Sequence, residues 1–256
     1  MLQQRYAGGT AEAVFDVSRE LPLQRAEECT VSVIVPTYNE AENIRVLIPS
    51  VHGALRGYSH EIIVVDDSSP DGTAEAAEEL AEDFPVRVLV RNGKLGLASA
   101  ILYGFKKARG EILGVIDADL QHPPEYIGRF VEKVNEGYDI VIGSRYVEGG
   151  RIEGWSLKRR IISMGAIMLA KPLAFNVKDP MSGYFFLKKH VIEDVDFNLT
   201  GYKLLLEILV KGKYDKVVEI PYIFRNRVNG KSKLKIKEIL EYTWLLCDLY
   251  HHKIFR

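Results

Sequence analysis

Only two cysteines, Cys29 and Cys247, occur in 256 residues, and neither lies in a Cys-x-x-Cys pattern. A disulfide framework and a zinc knuckle are thereby excluded, and a reducing, cytosolic setting is expected. Net charge is equally scarce, with 34 basic residues against 35 acidic ones. No strong global field draws such a chain to nucleic acid or membrane, and a nucleic-acid partner is not expected. Long apolar runs are missing too. The longest candidate, Ile161–Ala170, is about half of what a bilayer span requires and is followed by Lys171-Pro172. The first twenty residues carry no run of signal-peptide type. Neither Gly-x-Gly-x-x-Gly after the first strand nor Gly-x-x-x-x-Gly-Lys-Ser/Thr occurs, which disfavours a dinucleotide fold and a P-loop. No His pair has metal-ligand spacing, so zinc hydrolysis is not expected.

What is present is an ordinary globular composition, 47% hydrophobic and 27% charged, enough for one large α/β domain or two small ones. The even charge hides a split. Residues 200–256 hold 12 Lys/Arg against 6 Asp/Glu, leaving 22 against 29 on residues 1–199. A basic end on an acidic body points to an anion met at that end. Residues 1–29 are polar and weakly patterned and read as an N-terminal arm. Order begins at Thr30. Strands are expected at Val31–Val35, Glu61–Asp66, Val86–Val90 and Ile112–Ile116, with helices at Ala41–Leu55, after Gly72 and at Leu97–Arg109. Apolar strands alternating with helices of this length imply a mostly parallel central sheet with helices on both faces, in a single α/β domain.

Ligands of such sheets gather where the strands end, and the polar residues there form a consistent set. Pro36-Thr-Tyr38-Asn-Glu40 follows the first strand, Asp66-Asp67 closes the second, Arg91-Asn-Gly-Lys94 follows the third and Asp117-Ala118-Asp119-Leu-Gln121 the fourth. Two carboxylates one residue apart, with an amide oxygen at Gln121, suit a hard divalent cation that keeps open positions for phosphate oxygens. Alone, such a pair reads more readily as solvated carboxylates capping the helix after Pro123-Pro124. Asp66-Asp67 at the neighbouring strand end adds a second acidic cluster, in which like charges repel unless a cation or hydrogen-bond donors intervene. Tyr38 alone reads as readily as a half-buried core aromatic, Ser144-Arg145 as a cap with a surface ion pair, and Lys231–Lys237 as a solvated basic loop.

Pro36-Thr-Tyr-Asn-Glu40, Val65-Asp-Asp67, Gly-Lys94-Leu-Gly-Leu, Asp117-Ala-Asp-Leu-Gln121-His-Pro-Pro and Gly-Ser144-Arg145 occur in this order. Together they resemble a family 2 inverting glycosyltransferase with a GT-A nucleotide-sugar-binding domain. Asp179-Pro-Met-Ser182-Gly183, Gly201-Tyr-Lys203 with Glu207, and Arg227-Val-Asn-Gly-Lys-Ser-Lys233 narrow the likeness to the dolichyl-phosphate mannose synthases and related polyprenyl-phosphate glycosyltransferases. The resemblance spans about residues 30–240, which implies an arm at 1–29, the catalytic domain at 30–240 and an amphipathic C-terminal helix at 241–256.

The resemblance implies that Pro36, Tyr38, Glu40, Val65 and Asp67 wall a nucleoside pocket, with Asp67 accepting a hydrogen bond from the base or ribose. It implies that Asp117, Asp119 and Gln121 hold Mg²⁺ or Mn²⁺ beside Ala118, and that Arg145, Lys203, Arg227 and Lys233 ring the two phosphates. Ser182 and Arg160 then join Arg145 at the acceptor phosphate, and Asp119, Arg145, Arg227 and Lys233 carry the transfer. The substrates implied are GDP-mannose and a dolichyl or polyprenyl phosphate. Relatives often place Arg after the serine that here is Ser163, where this chain has Met164, so that contact is expected either to be missing or to be supplied by Arg160. Some relatives continue into transmembrane helices, whereas this sequence stops at Arg256, so the expected attachment is peripheral, on the cytoplasmic face, or through a membrane-anchoring partner subunit. Two segments are placed to touch a membrane, Trp155–Lys171 and Ile239–Phe255, with core packing or dimerisation as the competing reading. Rival functions are transfer to a saccharide hydroxyl, for which Asp179 or Glu207 would have to serve as base, and non-catalytic nucleotide-sugar binding.

Overall fold

The computed structural model describes residues 30–198, 203–225 and 236–255, so the arm expected at 1–29 lies outside the described residues. From the first described strand the chain runs β1 (Val31–Thr37), α1 (Ala41–Ala54), β2 (His60–Asp66), α2 (Thr73–Leu80), β3 (Val86–Val90), α3 (Leu97–Lys107) and β4 (Ile112–Val115). It continues through α4 (Ile127–Asn135), β5 (Ile140–Ser144), β6 (Arg151–Ile152), α5 (Leu157–Ala170), β7 (Phe185–Lys188), α6 (Leu204–Lys211), β8 (Val217–Pro221), β9 (Ile223–Phe224) and α7 (Ile236–Phe255). The elements expected in the first half are thus found where the periodicity puts them.

A seven-stranded sheet has the order β3-β2-β1-β4-β7-β5-β8, and β7 alone runs antiparallel to its neighbours β4 and β5. All seven residues of β1 are buried, as a central parallel strand covered on both faces requires. The buried side chains of α1, Ile44, Leu47, Ile48 and Val51, form one stripe against the sheet. With α2 and α4 this helix covers one face, while α3, α6, α7 and the end of α5 cover the other. Because β7 runs against its neighbours, the loop that precedes it reaches the edge at which the parallel strands end. That direction brings Asp179 and Ser182 toward Asp117 and Arg145.

The last helix departs from the expected boundary. It begins at Ile236, before residue 241, and Tyr242, Leu245, Leu246 and Leu249 lie buried in the same core as α3 and α6. Its apolar inner face makes it part of the domain rather than an appendage. In the sheet, Gly114 of β4 stands opposite Phe186 of β7, and a Cβ at residue 114 would fall 2.3 Å from the Phe186 ring. Gly114→Ala should therefore lower unfolding stability by about 1–3 kcal/mol in denaturant titration, the usual cost of overpacking a core.

A second expectation concerns pH. His52 Nδ1 and His60 Nε2 lie 3.1 Å apart, and His60 Nδ1 is 2.7 Å from the Tyr58 carbonyl. Burial lowers the His60 pKa, with His52 adding to it and the carbonyl opposing. Between the folded value and the ordinary value near 6.5, the unfolded chain binds more protons than the folded one. The stability contribution is then intact above about pH 6.5 and is lost as pH falls toward the folded value. Melting curves should show this acid-side loss, and His60→Gln should make it shallower.

Candidate active site

A cavity of about 240 Å³ opens where β1, β2, β3 and β4 end. Pro36, Tyr38 and Glu40 line it from the turn into α1, Asp67 from the end of β2, Lys94, Gly96 and Leu97 from the loop into α3, and Asp117, Ala118 and Asp119 from the turn after β4. Seven of the nine expected nucleoside and cation residues on these first four strand ends therefore share one cavity. Gln121 does not line it, and neither does Val65. It is fully buried in β2, and its Cγ2 lies 3.2 Å from where a Cβ at Gly104 of α3 would stand, so it packs in the core rather than in the wall. The Lys94 ammonium sits 3.7 Å above the centre of the Tyr38 ring at the cavity mouth.

The turns that carry these groups are conformationally unusual. Asn39, Ser68 and Leu120 all adopt positive φ, at 62°, 54° and 58°, in the turns that follow β1, β2 and β4. Asn accepts this region readily, but for Leu it stores strain of about 1–3 kcal/mol, of the kind that clusters at functional sites. At residue 120 the turn folds the Gln121 N–H back onto Asp119 Oδ1 at 3.1 Å.

The two acidic pairs differ in how their charge is met. Asp66 is fully buried and accepts from Thr37 Oγ1 at 2.8 Å and from the Ser69 N–H at 2.8 Å. Asp67 is bound on both oxygens. Arg91 donates to Oδ1 through Nε at 2.7 Å and through Nη2, while the Leu95 and Gly96 N–H groups donate to Oδ2 at 2.9 and 3.1 Å. Arg91 itself is buried and also reaches Ser99 Oγ and the Gly96 carbonyl. Asp67 thus lines the cavity while both of its oxygens tie the 91–96 loop to the end of β2. Arg91 was not expected to have a role. Its signal was present, since β2 and β3 are paired with Asp66 opposite Val90, which sets the next residues, Asp67 and Arg91, side by side.

Around the second pair, Asp117 keeps 31% of its side chain exposed and Asp119 is buried at the cavity wall. His122 Nδ1 lies 3.5 Å from Asp117 Oδ2, and the His122 ring stacks on Tyr184 with 5.2 Å between centroids. Gly183 closes against the same carboxylate, where a Cβ would stand 3.1 Å from Oδ2. Gln121 Nε2 donates to the Arg225 carbonyl at 3.0 Å, and the residue does not line the cavity. Among the described residues no group of three or more His, Cys, Asp or Glu is arranged to hold a metal by itself. Two carboxylates on the cavity wall fit a hard cation that takes its remaining oxygens from water and substrate.

On the far side of Asp117, Arg145 is buried, and its fork is spent on Asp179. Nε meets Oδ2 and Nη2 meets Oδ1, both at 2.7 Å, and the Arg145 N–H adds a third bond to Oδ2 at 3.0 Å. Asp179 raises the Arg145 pKa against the effect of burial, so the guanidinium is charged throughout. Asp179 sits in turn on a loop held by Glu219, whose oxygens accept the Lys178 and Asp179 N–H groups at 2.7 and 2.9 Å. This holding role of Glu219 was not anticipated from sequence. Ser182 is buried beside this pair, with Oγ near the Tyr184 N–H at 3.2 Å. Arg160 is exposed and donates to the Ile152 carbonyl at 2.9 Å. Lys203 precedes α6 and does not line the cavity. Arg227 and Lys233 lie outside the described residues.

Because the Asp67–Arg91 pair is buried, removing one partner leaves the other charge uncompensated. Asp67→Ala should cost about 3–5 kcal/mol in chemical unfolding. A loss below about 1 kcal/mol, the range of an exposed pair, would contradict the clamp.

The model of glycosyl transferase family 2 matches residues 32–196. A dolichol-phosphate mannosyltransferase of Pyrococcus furiosus is 53% identical over 215 residues, 83% of this chain and 61% of the relative, so the chain spans less than two thirds of that protein. Proteins of the same name from Mycosarcoma maydis and Saccharomyces cerevisiae are 40% and 39% identical. These matches cover 87% of this chain in both cases, and 79% and 87% of the relatives. Glucosyl-3-phosphoglycerate synthase of Mycobacterium tuberculosis, solved with Mn²⁺, uridine diphosphate and glucosyl-3-phosphoglycerate, shares the fold at a TM-score of 0.65 and 20% identity, over 88% of this chain and 80% of that one. With the cavity at the strand ends, its acidic pair and these relatives in agreement, the chain belongs to glycosyl transferase family 2, on the side of the dolichol-phosphate mannosyltransferases.

Proposed function

We propose that this glycosyltransferase moves a mannosyl group from a nucleoside diphosphate, guanosine diphosphate by resemblance, to the phosphate of a dolichyl or polyprenyl phosphate, with inversion. The observation that carries this reading concerns the two acids that a hydroxyl acceptor would need. Asp179 is fully buried and accepts three bonds from Arg145, and Glu207 is buried and accepts from the Asn198 N–H and from Lys211, both at 2.7 Å. Neither is placed as a base. A phosphate monoester needs none, because it is already an anion near neutral pH, with a second pKa of about 6.

In the reaction an acceptor phosphate oxygen attacks the anomeric carbon from the face opposite the leaving group. The bond from that carbon to the diphosphate oxygen breaks, and its electron pair leaves with the nucleoside diphosphate. No proton changes hands. Pro36, Tyr38 and Glu40 form the nucleoside end of the cavity, with Lys94 over Tyr38 at its mouth. Asp117 and Asp119 would hold Mg²⁺ or Mn²⁺, which supplies charge neutralisation to the departing diphosphate. Ser182 belongs to the acceptor side, with Arg145 keeping its loop in place. Lys203, Arg227 and Lys233 add positive charge from the basic C-terminal segment, which favours two mutually repelling phosphates within reaction distance.

A lipid-linked acceptor also calls for an apolar approach. Among the described residues, no helix is long and apolar enough to cross a membrane. On α5, however, Leu157, Ile161, Met164 and Met168 form a stripe exposed at 73%, 60%, 57% and 74%, beside the exposed cations Lys158, Arg159 and Arg160. Trp244, Ile254 and Phe255 of α7 are exposed as well, and Tyr242 and Tyr250 of that helix donate to the Ala166 and Leu169 carbonyls of α5 at 2.6 and 2.8 Å. An apolar face with a cationic border supports contact with an anionic membrane surface. A membrane-anchoring partner would supplement it.

Incubation with guanosine diphosphate mannose, Mg²⁺ and a short polyprenyl phosphate should yield the mannosylated lipid phosphate. Asp119→Asn should lower that rate by about 10²-fold or more with an unchanged melting temperature. Near-normal turnover of this variant would remove the carboxylate from the reaction, and transfer to a free saccharide in place of the lipid would favour the rival acceptor.

A further inference from the structure

His122 takes no part in the reaction as described, yet it lies buried on the acidic side of the cavity. Three aromatic rings hold it. It stacks on Tyr184 at an interplanar angle of 26°, and Tyr222 and Phe224 stand at centroid separations of 5.7 and 5.5 Å. Its neighbours in the chain are tied to the same region. The Tyr184 hydroxyl donates to the Pro123 carbonyl at 2.9 Å. Gln121 exchanges two bonds with Arg225, the residue after Phe224, at 3.0 Å from its Nε2 to the Arg225 carbonyl and 3.3 Å from the Arg225 N–H to its own carbonyl. A phenylalanine would fill this aromatic box without burying polar nitrogen, so the polar edge of the imidazole calls for a physical reason.

That edge faces the site. Nδ1 lies 3.5 Å from Oδ2 of Asp117, whose carboxylate lines the cavity. Gly183 leaves room for this approach, since a Cβ there would stand 3.1 Å from Asp117 Oδ2 and 3.5 Å from His122 Cε1. We propose that His122 is a positioning residue for the divalent cation. Its Nδ1–H holds Asp117 Oδ2, so that the carboxylate meets the cation through its other oxygen in a fixed orientation. The inference rests on the cation reading given above, which assigns Mg²⁺ or Mn²⁺ to Asp117 and Asp119. His122 itself touches neither the cation nor the substrate.

At 3.5 Å the pair is about half an ångström longer than a closed N–H···O bond, and bonds that serve a site commonly reach that length only in the loaded complex. The closing motion falls to the carboxylate. The ring is stacked and the residues on both sides of it are tied, whereas Asp117 keeps 31% of its side chain exposed. A carboxylate loses rotational freedom when it binds a cation, and a fixed donor behind it removes part of that cost. Loss of a partner one bond removed from the metal typically weakens metal affinity by about 10–100-fold. The role needs a proton on Nδ1, which a neutral imidazole can carry, and no change of charge.

The test titrates the full chain with Mn²⁺ alone, follows the electron paramagnetic resonance signal of the free ion, and records a melting curve for each protein. His122→Phe keeps the ring contacts and removes the donor, so it should melt near the wild-type temperature and bind Mn²⁺ about tenfold more weakly. His122→Asn does the reverse. Its amide nitrogen stands about where Nδ1 stood, so Mn²⁺ affinity should stay within about twofold of wild type while the melting temperature falls with the lost ring packing. A His122→Phe protein with wild-type affinity would overturn the proposal, as would a His122→Asn protein that binds as weakly as His122→Phe. If the wild type binds no Mn²⁺, the cation reading fails and takes the proposal with it. Mannosyl transfer to a polyprenyl phosphate is measured separately. If Mn²⁺ binds with the expected pattern but no mannose is transferred, the positioning role stands and the transfer reading fails.

Discussion

Parallel strands that end at one edge force their terminal side chains together, and in this chain many of those side chains are acidic. Glu40, Asp66, Asp67, Asp117 and Asp119 all arrive where β1, β2 and β4 stop. Charges of one sign at such spacing oppose folding unless each is met by a donor or a cation. The structure meets them unequally. Asp66 takes Thr37 and Ser69, and Asp67 takes Arg91 and two loop N–H groups. Asp117 and Asp119 remain on the cavity wall with room beside them. The first two carboxylates are thereby part of the scaffold, while the last two, beside His122 Nδ1 and the Gln121 N–H, face the cavity.

The opposite half of the site depends on chain direction. If β7 ran parallel to β4, its preceding loop would emerge at the other end of the sheet. Running antiparallel, it delivers Asp179, Ser182 and Gly183 beside Asp117 and Arg145. Glu219 reaches across from β8 to hold that loop by two main-chain N–H groups. The result is a row of committed pairs, Glu219 to the loop, Asp179 to Arg145, and Arg145 against the rings of Tyr146, Trp155 and Phe224.

These arrangements explain what the sequence could and could not reveal. The first four strands and their helices were legible because apolar periodicity is local, and Pro36, Tyr38, Glu40, Asp117, Ala118 and Asp119 lie on one cavity because parallel strands share an edge. Local pattern says nothing about which acid is already bound, so Asp67 was read as a ligand contact when Arg91 and the 95–96 amides occupy it. Arg145 was read as a phosphate contact for the same reason, before the orientation of β7 put Asp179 on its fork. Gln121 Nε2 is tied to the Arg225 carbonyl, far along the chain, a contact that no local pattern reveals. The boundary at 241 failed for a different cause. The pattern of α7 is amphipathic from Ile236 onward, and only three-dimensional packing tells a core-facing stripe from a membrane-facing one.

A lipid-linked phosphate presents two incompatible parts, a doubly ionisable head that belongs in a polar site and a tail that belongs in hydrocarbon. In the proposed reaction α5 would join the two requirements. Its exposed stripe runs from Leu157 to Met168, while its first turn lies near the Arg145–Asp179 pair through Trp155. Arg159 stacks on the Trp155 ring at 4.1 Å, and Arg145 lies 5.6 Å from the same ring. Ser163 and Tyr146 share a hydrogen bond of 3.1 Å, which fastens the helix to the residue next to Arg145. Any shift of α5 on an apolar surface is therefore felt first at Trp155 and Tyr146, the neighbours of the buried guanidinium.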